Sequence, residues 1–465
     1  MKQGFRPRLL LGSVLGLYFA WLLTFPFFGP ILGSLAGASG IDPSPIFSAF
    51  IIGHALGLLT FGFIGLRVRL TRVWFVVAAL AVATVTLVFV RIPPAYWLWV
   101  MRVLGVASAI PVMTWVGGFA DQVPYEYRGR TISVAQVMAN VALILVGLSL
   151  RRWPPTDLLW VAAAVLALSA IGAWATISHS SSASSPPRFR EPAPSPDHPA
   201  PLSPWQVGLL ILFFSIAAGL VNQIVYPAQF GDASLPVGAG LMAYVLVNAA
   251  GGYFCDRFGR RRLAVASVVM LGMSLLIGST LRDTLGLRAA EFLVQASYAP
   301  IDLFLWTSLA DAAPPGKATG YYGIGLGLNV FGIFLGSSAV ARLTALFPGS
   351  DGVLIAAASL FLAVPVVTLS PIRPSTLKAA ISTFSEDASL LASFGLSLRE
   401  REIALLLLDG LSNDDLVSRL TISPNTLKTH LRHIYQKTGT ANRRELILKV
   451  TRKHASPDDG KKQAG

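Results

Sequence analysis

The sequence predicts an all-α protein, in which a 12-helix transmembrane bundle of two six-helix repeats is followed by a small four-helix domain. Of the 465 residues, 54% are hydrophobic and only 13% are charged, about half the charged fraction of a typical soluble protein. Residues 1–369 hold 22 Lys and Arg and 13 Asp and Glu, whereas the much shorter stretch 370–465 holds 15 and 10. This division indicates a hydrocarbon environment for the first part and water for the second.

Twelve apolar stretches are long enough to cross a bilayer, which takes about 20 residues of helix. We predict spans near 9–35, 45–66, 73–90, 96–119, 131–150, 158–177, 207–230, 236–254, 263–281, 287–311, 321–346 and 352–369. The first apolar run has roughly 25 residues, longer than the 7–15 of a signal-peptide core. We therefore expect it to stay in the protein as a membrane span.

Basic residues are distributed unevenly between the two sets of loops. If the N-terminus is inside, the cytoplasmic segments before residue 370 carry 15 Lys and Arg, and the opposite loops carry six. The positive-inside rule then places both termini in the cytoplasm and predicts a multi-pass protein of the inner (cytoplasmic) membrane, with the lipid bilayer as a partner. Arg151 and Arg152, which fall on the outer side, are the exception.

Changes in composition predict the domain boundaries. The membrane part divides into an N-terminal half at 1–177 and a C-terminal half at 205–369, joined by a Ser- and Pro-rich stretch, 178–204, that is expected to be a disordered cytoplasmic linker. The further segments are a linker at 370–390, a small domain at 391–455 and a disordered tail at 456–465. The two halves share a motif, ADQVP at 120–124 and ADAAP at 310–314, which indicates internal repeats of the kind found in transporters.

The loop between spans 8 and 9 carries a specific motif, GYFCDRFGRRR at 252–262. This stretch resembles the loop signature of the major facilitator superfamily, and the resemblance implies a gating loop formed by Asp256, Arg257, Gly259 and Arg260. The equivalent loop at 65–72 keeps its basic residues but has no Asp. Because the family uses that loop in gating, its departure from the pattern disfavours a working transport cycle.

Polar residues within the spans are functional candidates, because they are costly in a membrane. In span 10 they form one helical stripe of Glu291, Gln295, Tyr298 and Asp302. The resemblance implies that spans 1, 4, 7 and 10 line a central cavity, so that it is faced by Arg102, Asn222, Tyr226 and Glu291. The alternative is hydrogen bonding between helices without any ligand.

Arg102 and Glu291 occupy equivalent places in the two repeats. Each lies nine residues before a proline, Pro111 or Pro300. We expect these opposite charges to pair directly or through a charged ligand, because each alone is costly in the membrane. Asp302 is then a second contact or a proton site. A fixed structural ion pair is the competing interpretation.

The C-terminal stretch contains start and stop signals for four short helices. Ser397 and Glu400 form a capping box, Ser412 precedes an acidic first turn, and Ser423-Pro424 is a cap followed by proline at the first helical position. The third helix stops at Gly439 and a fourth starts at Asn442. With about three residues between the second and third helices, this arrangement predicts a helix-turn-helix.

The same stretch closely resembles the DNA-binding domain of the LuxR family over about 50 residues. The matching segments are LSLRERE at 396–402, GLSN at 410–413, ISPNTLKTH at 422–430, IYQKTG at 434–439 and NRREL at 442–446. Thr438 stands where the family usually has leucine. The resemblance implies that the domain binds double-stranded promoter DNA, as a homodimer.

The third helix of this domain has the polar face that a recognition helix needs. With Leu427 and Leu431 buried, the opposite face shows Asn425, Lys428, Thr429 and Arg432. The resemblance implies that the last three enter the major groove. It assigns contacts to the DNA backbone to Thr426, His430 and Lys437. The alternative is a solvated helix face in a protein-interaction module.

No sequence motif for catalysis is present. H-E-x-x-H and G-x-S-x-G motifs are absent, and Cys255 is the only cysteine, so the sequence predicts no enzyme, no cofactor and no metal site. It predicts a membrane-embedded transcription regulator whose bundle senses an unknown small molecule. The alternatives are a working secondary transporter with a DNA-binding regulatory tail, and a scaffold that only tethers DNA to the membrane.

Overall fold

The computed structural model of the chain describes residues 5–177, 202–225, 239–281, 284–346, 391, 393–408, 412–420 and 422–455, together with residues 352, 359 and 363. The chain divides into two compact units, Met1–Leu369 and Ser370–Gly465. Four predicted segments lie outside the described residues: the linkers at 178–204 and 370–390, the twelfth span and the tail at 456–465. Within these segments the structure describes only positions 202–204, 352, 359 and 363.

The described residues are helical and contain no β-strand, which confirms the all-α prediction. The N-terminal half consists of α1 Phe5–Thr24, α2 Pro30–Ala38, α3 Ser44–Gly65, α4 Arg72–Val88, α5 Trp97–Gln122, α6 Arg128–Ser149 and α7 Pro155–Thr176. The C-terminal half consists of α8 Pro204–Val225, α9 Ala239–Phe258, α10 Arg260–Thr280, α11 Thr284–Ala312 and α12 Ala318–Leu346. Among the described helices, eight segments are long and apolar enough to cross a membrane.

The first predicted span, 9–35, is wrong as a single helix. The chain forms α1 and α2 with a break between them. Pro26 and Pro30 lack the backbone N–H that a continuous helix needs, and Phe28 adopts a positive φ of 55°. A Cβ on Gly29 would lie 2.4 Å from the carbonyl carbon of Thr24, so only glycine fits at this turn.

The two halves pack against each other along two helix pairs, α3 with α12 and α6 with α9. On the first pair, a Cβ added to Gly323 would lie 2.3 Å from the Cα of Gly62. On the second, a Cβ added to Gly129 would lie 2.7 Å from the carbonyl oxygen of Gly252. Small residues allow helices in membranes to approach this closely. All four glycines lie near the helix ends that the basic loops predict to be cytoplasmic.

Exposed tryptophans lie near both ends of the membrane helices. Trp99, Trp153 and Trp160 are exposed near the predicted outer ends, and Trp74, Trp174 and Trp205 near the predicted cytoplasmic ends. The Arg72 guanidinium lies 4.3 Å from the centre of the Trp174 ring. Two such aromatic belts are typical of proteins that span a bilayer.

The C-terminal unit contains α13 Leu398–Leu408, α14 Asn413–Leu420, α15 Pro424–Thr438 and α16 Arg443–Ala455. It has its own apolar core, which includes Ile403, Leu407, Leu416, Leu427, Ile434 and Leu446. Hydrogen bonds are present at each predicted cap. Ser423 Oγ accepts the Thr426 N–H at 3.1 Å, and Gly439 ends α15 in the left-handed conformation at φ 61°. These local signals explain why the helices begin and end where they do.

Candidate functional site

At the end of the bundle that the basic loops predict to be cytoplasmic, Asp256 joins the two halves. It lies in the last turn of α9, and its carboxylate accepts the backbone N–H of Gly129 at 2.7 Å and of Arg130 at 3.0 Å. These N–H groups belong to the first turn of α6, where a helix has unsatisfied donors and a partial positive charge. Arg130 Nε adds a third bond at 3.0 Å. Asp256 of one half therefore caps a helix of the other.

A second carboxylate, Asp311 at the end of α11, extends this contact. Its Oδ1 lies 2.6 Å from Nη1 of Arg128 in the N-terminal half, and its Oδ2 lies 2.8 Å from Nε of Arg260. Arg260 also donates to the carbonyl of Tyr125 at 2.7 Å and stacks over its ring. The side chains of Arg260 and Asp311 are only 6% and 7% exposed. We call the contact formed by Arg128, Arg130, Asp256, Arg260 and Asp311 the ionic seam.

The second contact between the halves, α3 with α12, is built differently. When the two halves are aligned on their shared motif, Leu66 falls at the position of Asp256. A Cβ added to Gly320 would lie 2.1 Å from a Leu66 methyl carbon, Cδ2, so the leucine packs directly over the start of α12. Lys317 Nζ donates to the Leu66 carbonyl at 2.6 Å. Arg69 pairs with Asp121 at 2.6 Å within the N-terminal half. The absence of an acidic residue here is thus accommodated by apolar packing.

The predicted gating residues occupy different positions at this seam. Asp256 and Arg260 lie within it, Gly259 makes the turn between α9 and α10 at φ 88°, and Arg257 is exposed. Sequence reasoning did not assign Arg128, Arg130 and Asp311 to the site. The available signals were the repeated motif that contains Asp311 and the basic exit from span 4, but neither shows that the residues meet. Gating by these residues stays a prediction.

The predicted stripe on α11 lies against other helices of the C-terminal half. Tyr244 Oη on α9 donates to Asp302 Oδ2 at 2.6 Å, and Tyr298 Oη donates to the Ala218 carbonyl on α8 at 3.4 Å. Glu291 and Gln295 lie beside Gly240 of α9. Asn222 lies in α8, but its side chain is outside the described residues, as is Tyr226. A ligand-binding role for this set stays a prediction.

Arg102 and Glu291 form no direct ion pair with each other in this conformation, and a contact bridged by a charged ligand stays a prediction. Arg102 is exposed, and its guanidinium lies 4.7 Å from the ring centre of Trp99 on its own helix. Glu291 is half-buried, with the charge of Arg288 nearby. The close glycine contacts between the halves, Gly62 with Gly323 and Gly129 with Gly252, lie near the helix ends predicted to be cytoplasmic, whereas Arg102 and Glu291 lie near the opposite ends of α5 and α11.

The predicted recognition helix, α15, presents its polar face to solvent. Asn425, Thr426, Lys428, Thr429 and Arg432 are exposed, and His430 is half-buried. Lys428 and Arg432 form no ion pair within the described residues. Thr429 Oγ1 donates to the Asn425 carbonyl at 3.1 Å, so its methyl group and hydroxyl are held in place. Exposed cations and hydroxyls on one helix face can contact phosphates and base edges.

Lys437, predicted to contact the DNA backbone, has a partner inside the domain. Its Nζ lies 2.7 Å from Oε2 of Glu400, which is 4% exposed. Glu400 also accepts the Ser397 N–H at 2.7 Å. The burial of Glu400 raises its pKa, but the hydrogen bonds from Lys437 and Ser397 outweigh that effect and lower the pKa below its usual value. The ion pair gives Lys437 a structural task that the sequence did not reveal.

The fold and these sites together define a helical membrane protein that carries a helix-turn-helix domain. Residues 395–450 match the family of bacterial regulatory proteins known as the luxR family. The same region is 44% identical over 54 residues to an HTH-type transcriptional regulator of Mycobacterium bovis, covering 12% of this chain and 6% of that protein. It is 34% identical over 70 residues to the regulator MalT of Yersinia pestis, covering 15% and 8%. The chain thus spans a small fraction of these relatives.

The membrane unit resembles solved transporters in fold. The human organic anion transporter MFSD10 superimposes with a TM-score of 0.61 at 16% identity, covering 80% of this chain and 100% of that one. The fucose:proton symporter FucP of E. coli gives 0.60 at 14% identity, covering 79% and 98%. A bacterial homologue of the iron transporter ferroportin, in an outward-facing state, gives 0.57 at 14%. The chain therefore combines a LuxR-type helix-turn-helix domain with a major facilitator fold.

Proposed function

We propose that this protein is a membrane-embedded transcription regulator, in which the bundle senses a small molecule and the helix-turn-helix domain binds promoter DNA. One observation carries this proposal: α15 presents a polar face with free Lys428 and Arg432 side chains, in a chain whose larger unit has a transporter fold. In the proposed arrangement both termini lie in the cytoplasm, which brings the domain into the same compartment as DNA.

A homodimer through the C-terminal domain is part of this proposal. Regulators of this kind read two half-sites related by two-fold symmetry, so that each copy contributes one recognition helix. A two-fold symmetric DNA site is the expected signature. Its centre-to-centre spacing of about one helical turn is set by the dimer.

The second candidate is a working secondary transporter with a regulatory tail. The ionic seam favours it, because releasable contacts between two halves are what alternating access needs. Apolar packing at Leu66, on the other contact between the halves, favours sensing. Uptake or efflux of candidate compounds by sealed vesicles containing the purified protein separates the two functions. Accumulation of a compound driven by a gradient supports transport. A compound that binds the protein but does not accumulate in the vesicles supports sensing.

The DNA-binding part is tested by mapping chromatin occupancy of the full-length chain in its own cells. We expect discrete sites with two-fold symmetry. Arg432→Ala should relax the preference at one base position by about 1–3 kcal/mol, whereas Lys428→Ala should lower occupancy at the same sites. Gln436→Ala, an exposed change on the same helix, is the matched control. Occupancy that is diffuse in the wild type, or unchanged in both variants, would contradict a sequence-specific regulator.

A further inference from the structure

One face of α5 is apolar and exposed, and it carries a single charge. Trp99, Arg102, Val103 and Val106 are all exposed, and their spacing places them on one helical stripe. Val103, beside the arginine, is 69% exposed. Arg102 lies five residues after the first residue of α5, Trp97, which is about 7–8 Å along the helix at 1.5 Å per residue. This stripe faces either lipid or a water-filled cavity, and the neighbouring helix distinguishes the two.

The neighbouring helix, α3, packs directly against α5 at two levels. A Cβ added to Gly53 would lie 2.3 Å from the carbonyl oxygen of Arg102, and a Cβ added to Gly57 would lie 2.7 Å from that of Val106. Glycine lets the two helix backbones touch, as is common between helices in membranes. The residues next to these two glycines in α3 therefore lie level with Arg102 and with Val106.

The polar side of this helix pair is turned away from the exposed stripe. Successive residues of a helix point about 100° apart, so Ile52 and His54 flank Gly53 on opposite sides. His54 is buried, and its Nδ1 lies 2.8 Å from Ser108 Oγ of α5. Ile52 is exposed, as is Leu56 one turn further along, at 55%. Polar groups thus face the interior and apolar groups face outwards, which is the arrangement of a helix pair that borders lipid.

The guanidinium of Arg102 has no hydrogen bond or ion pair within the described residues. Its recorded contact is with the ring of Trp99, whose centre lies 4.7 Å away and about one turn nearer the predicted outer end of α5. The side chain therefore extends towards the membrane surface, where interfacial tryptophans and lipid headgroups lie. A charge without a counter-ion is unfavourable on a lipid-facing stripe, and the phosphate of a lipid is an anion found at that level.

We propose that the groove between α3 and α5 binds an anionic phospholipid, whose phosphate pairs with Arg102 and whose acyl chain lies along Leu56 and Val106. A guanidinium binds phosphate through two parallel N–H···O bonds, and the Trp99 ring holds the planar group in position. On this proposal Arg102 binds an anion of the bilayer, in place of the cavity ligand that the sequence suggests.

The composition of the groove distinguishes this ligand from related ones. The walls beyond the guanidinium are apolar, which favours a lipid over free phosphate because only a lipid covers them. A net anionic headgroup is favoured over a zwitterionic one, because a choline ammonium already neutralises its own phosphate. The lipid site is separate from the proposed regulation, since its occupancy is measured without DNA or inducer.

Native mass spectrometry of the delipidated full-length protein in detergent counts bound lipids and gives the Kd of the first one. The protein is titrated with dioleoyl phosphatidylglycerol and, separately, with dioleoyl phosphatidylcholine. The two lipids share their acyl chains and phosphate but differ in net charge. We expect the first phosphatidylglycerol to bind at least about tenfold more tightly than the first phosphatidylcholine, because only the anionic lipid neutralises the guanidinium.

Two variants test the two parts of the groove. Arg102→Gln should weaken binding of the first phosphatidylglycerol by about tenfold and remove its advantage over phosphatidylcholine. Leu56→Trp, which fills the groove, should weaken phosphatidylglycerol binding while the charge stays in place. Arg152→Gln is the matched control and should leave both affinities unchanged. Arg152 is an exposed arginine beside the exposed Trp153 on the same predicted side of the membrane, but it lies between α6 and α7.

Three results would overturn the proposal. Equal affinity of the wild type for the two lipids would show that the guanidinium does not select an anionic headgroup. Equal phosphatidylglycerol binding by Arg102→Gln and Arg152→Gln would place the lipid elsewhere. Displacement of the first lipid by glycerol phosphate or inorganic phosphate would assign the site to a soluble anion. If Arg102→Gln does not assemble, Leu56→Trp still decides, because wild-type affinity for phosphatidylglycerol in that variant would exclude the groove.

Discussion

Glu400 is a single side chain with two structural tasks in the C-terminal domain. Its carboxylate completes the capping box by accepting the Ser397 N–H, and it pairs with Lys437 at 2.7 Å; His433 Nδ1 lies 3.8 Å away. The residue therefore ties the start of α13 to the end of α15. Because α15 is the proposed recognition helix, the ion pair also fixes the position of the DNA-binding face.

Lys437→Ala should destabilise the isolated domain, residues 390–455, by about 1–3 kcal/mol near neutral pH, because it leaves a buried carboxylate without its cation. The folded-state pKa of Glu400 is lowered, so this stabilisation is present above the unfolded pKa of about 4.3 and is lost as pH falls through the folded value. Urea unfolding followed by circular dichroism, repeated at falling pH, measures the effect.

Lys428→Ala provides the matched control for this substitution. Lys428 is exposed and has no ion pair in the described residues, so its removal should change the free energy of unfolding by less than about 0.5 kcal/mol while weakening DNA binding. Equal stability of the two variants at neutral pH would show that the Glu400–Lys437 pair contributes nothing to the domain.

The residues of this domain differ in how far the sequence predicts their roles. Ser423, Gly439 and the Ser397–Glu400 box were predictable because a cap depends on residues within four positions of each other. The Glu400–Lys437 pair joins residues 37 positions apart, and nothing local signals it. The sequence therefore predicted Lys437 as an available cation, whereas the structure shows it already paired.

At the scale of helices, the two contacts between the halves are stabilised by different kinds of interaction. α6 and α9 meet through the ionic seam, in which Asp256 accepts two backbone N–H groups at the start of α6. α3 and α12 meet through close glycine packing beneath Leu66. Buried charges hold a geometry strongly when all are paired, and removing one partner is costly. We therefore expect the ionic seam to be the more sensitive of the two contacts.

Asp256→Asn should loosen the ionic seam, since a neutral amide cannot accept the helix N–H groups and Arg130 as strongly. The chain provides its own reporter, because Cys255 is its only cysteine and is fully buried beside Gly129. Its alkylation by a maleimide in membranes should be at least about tenfold faster in the variant, corresponding to a lost charged hydrogen bond of about 1.5–3 kcal/mol.

Arg257→Gln is the control for Asp256→Asn, because Arg257 adjoins the seam in sequence but is exposed. It should leave the alkylation rate unchanged. If Asp256→Asn labels no faster than this control, the hydrogen bonds to α6 do not keep the seam closed.

Spans were predictable where hydrophobicity alone decides the structure, and less so where single residues do. Length and apolar composition located the helices from α3 to α12 to within a few residues. The break between α1 and α2 was missed, because a hydropathy window averages over Pro26 and Gly29. The ionic seam was missed because it joins four segments, and the sequence indicates only that each is polar.

At the scale of the whole molecule, the chain joins two units that belong to different solvents. The unit at Met1–Leu369 exposes apolar and aromatic side chains suited to lipid, whereas Ser370–Gly465 has its own apolar core and an exposed polar helix. The comparisons divide in the same way: transporter structures cover the first unit, and regulators cover residues 395–450. The sequence predicted this division from charge density, because transfer of charge into hydrocarbon is costly whatever the fold.

The domain should regulate while it remains attached to the membrane. If the linker predicted at 370–390 behaves as a random coil, its roughly 20 residues reach roughly 25 Å, by the ~5–6 Å × √n scaling, and promoter DNA then has to come to the membrane surface. A specific protease site inserted in this linker tests the need for attachment. Cutting it in cells should separate reporter output from the inducer, while the released domain, which has its own core, still binds its DNA site. The uncut chain carrying the same insertion is the control and should respond normally, with all C-terminal signal in the membrane fraction at full length. A soluble C-terminal fragment in induced cells without the added protease, or normal induction after complete cutting, would show that release rather than attachment transmits the signal.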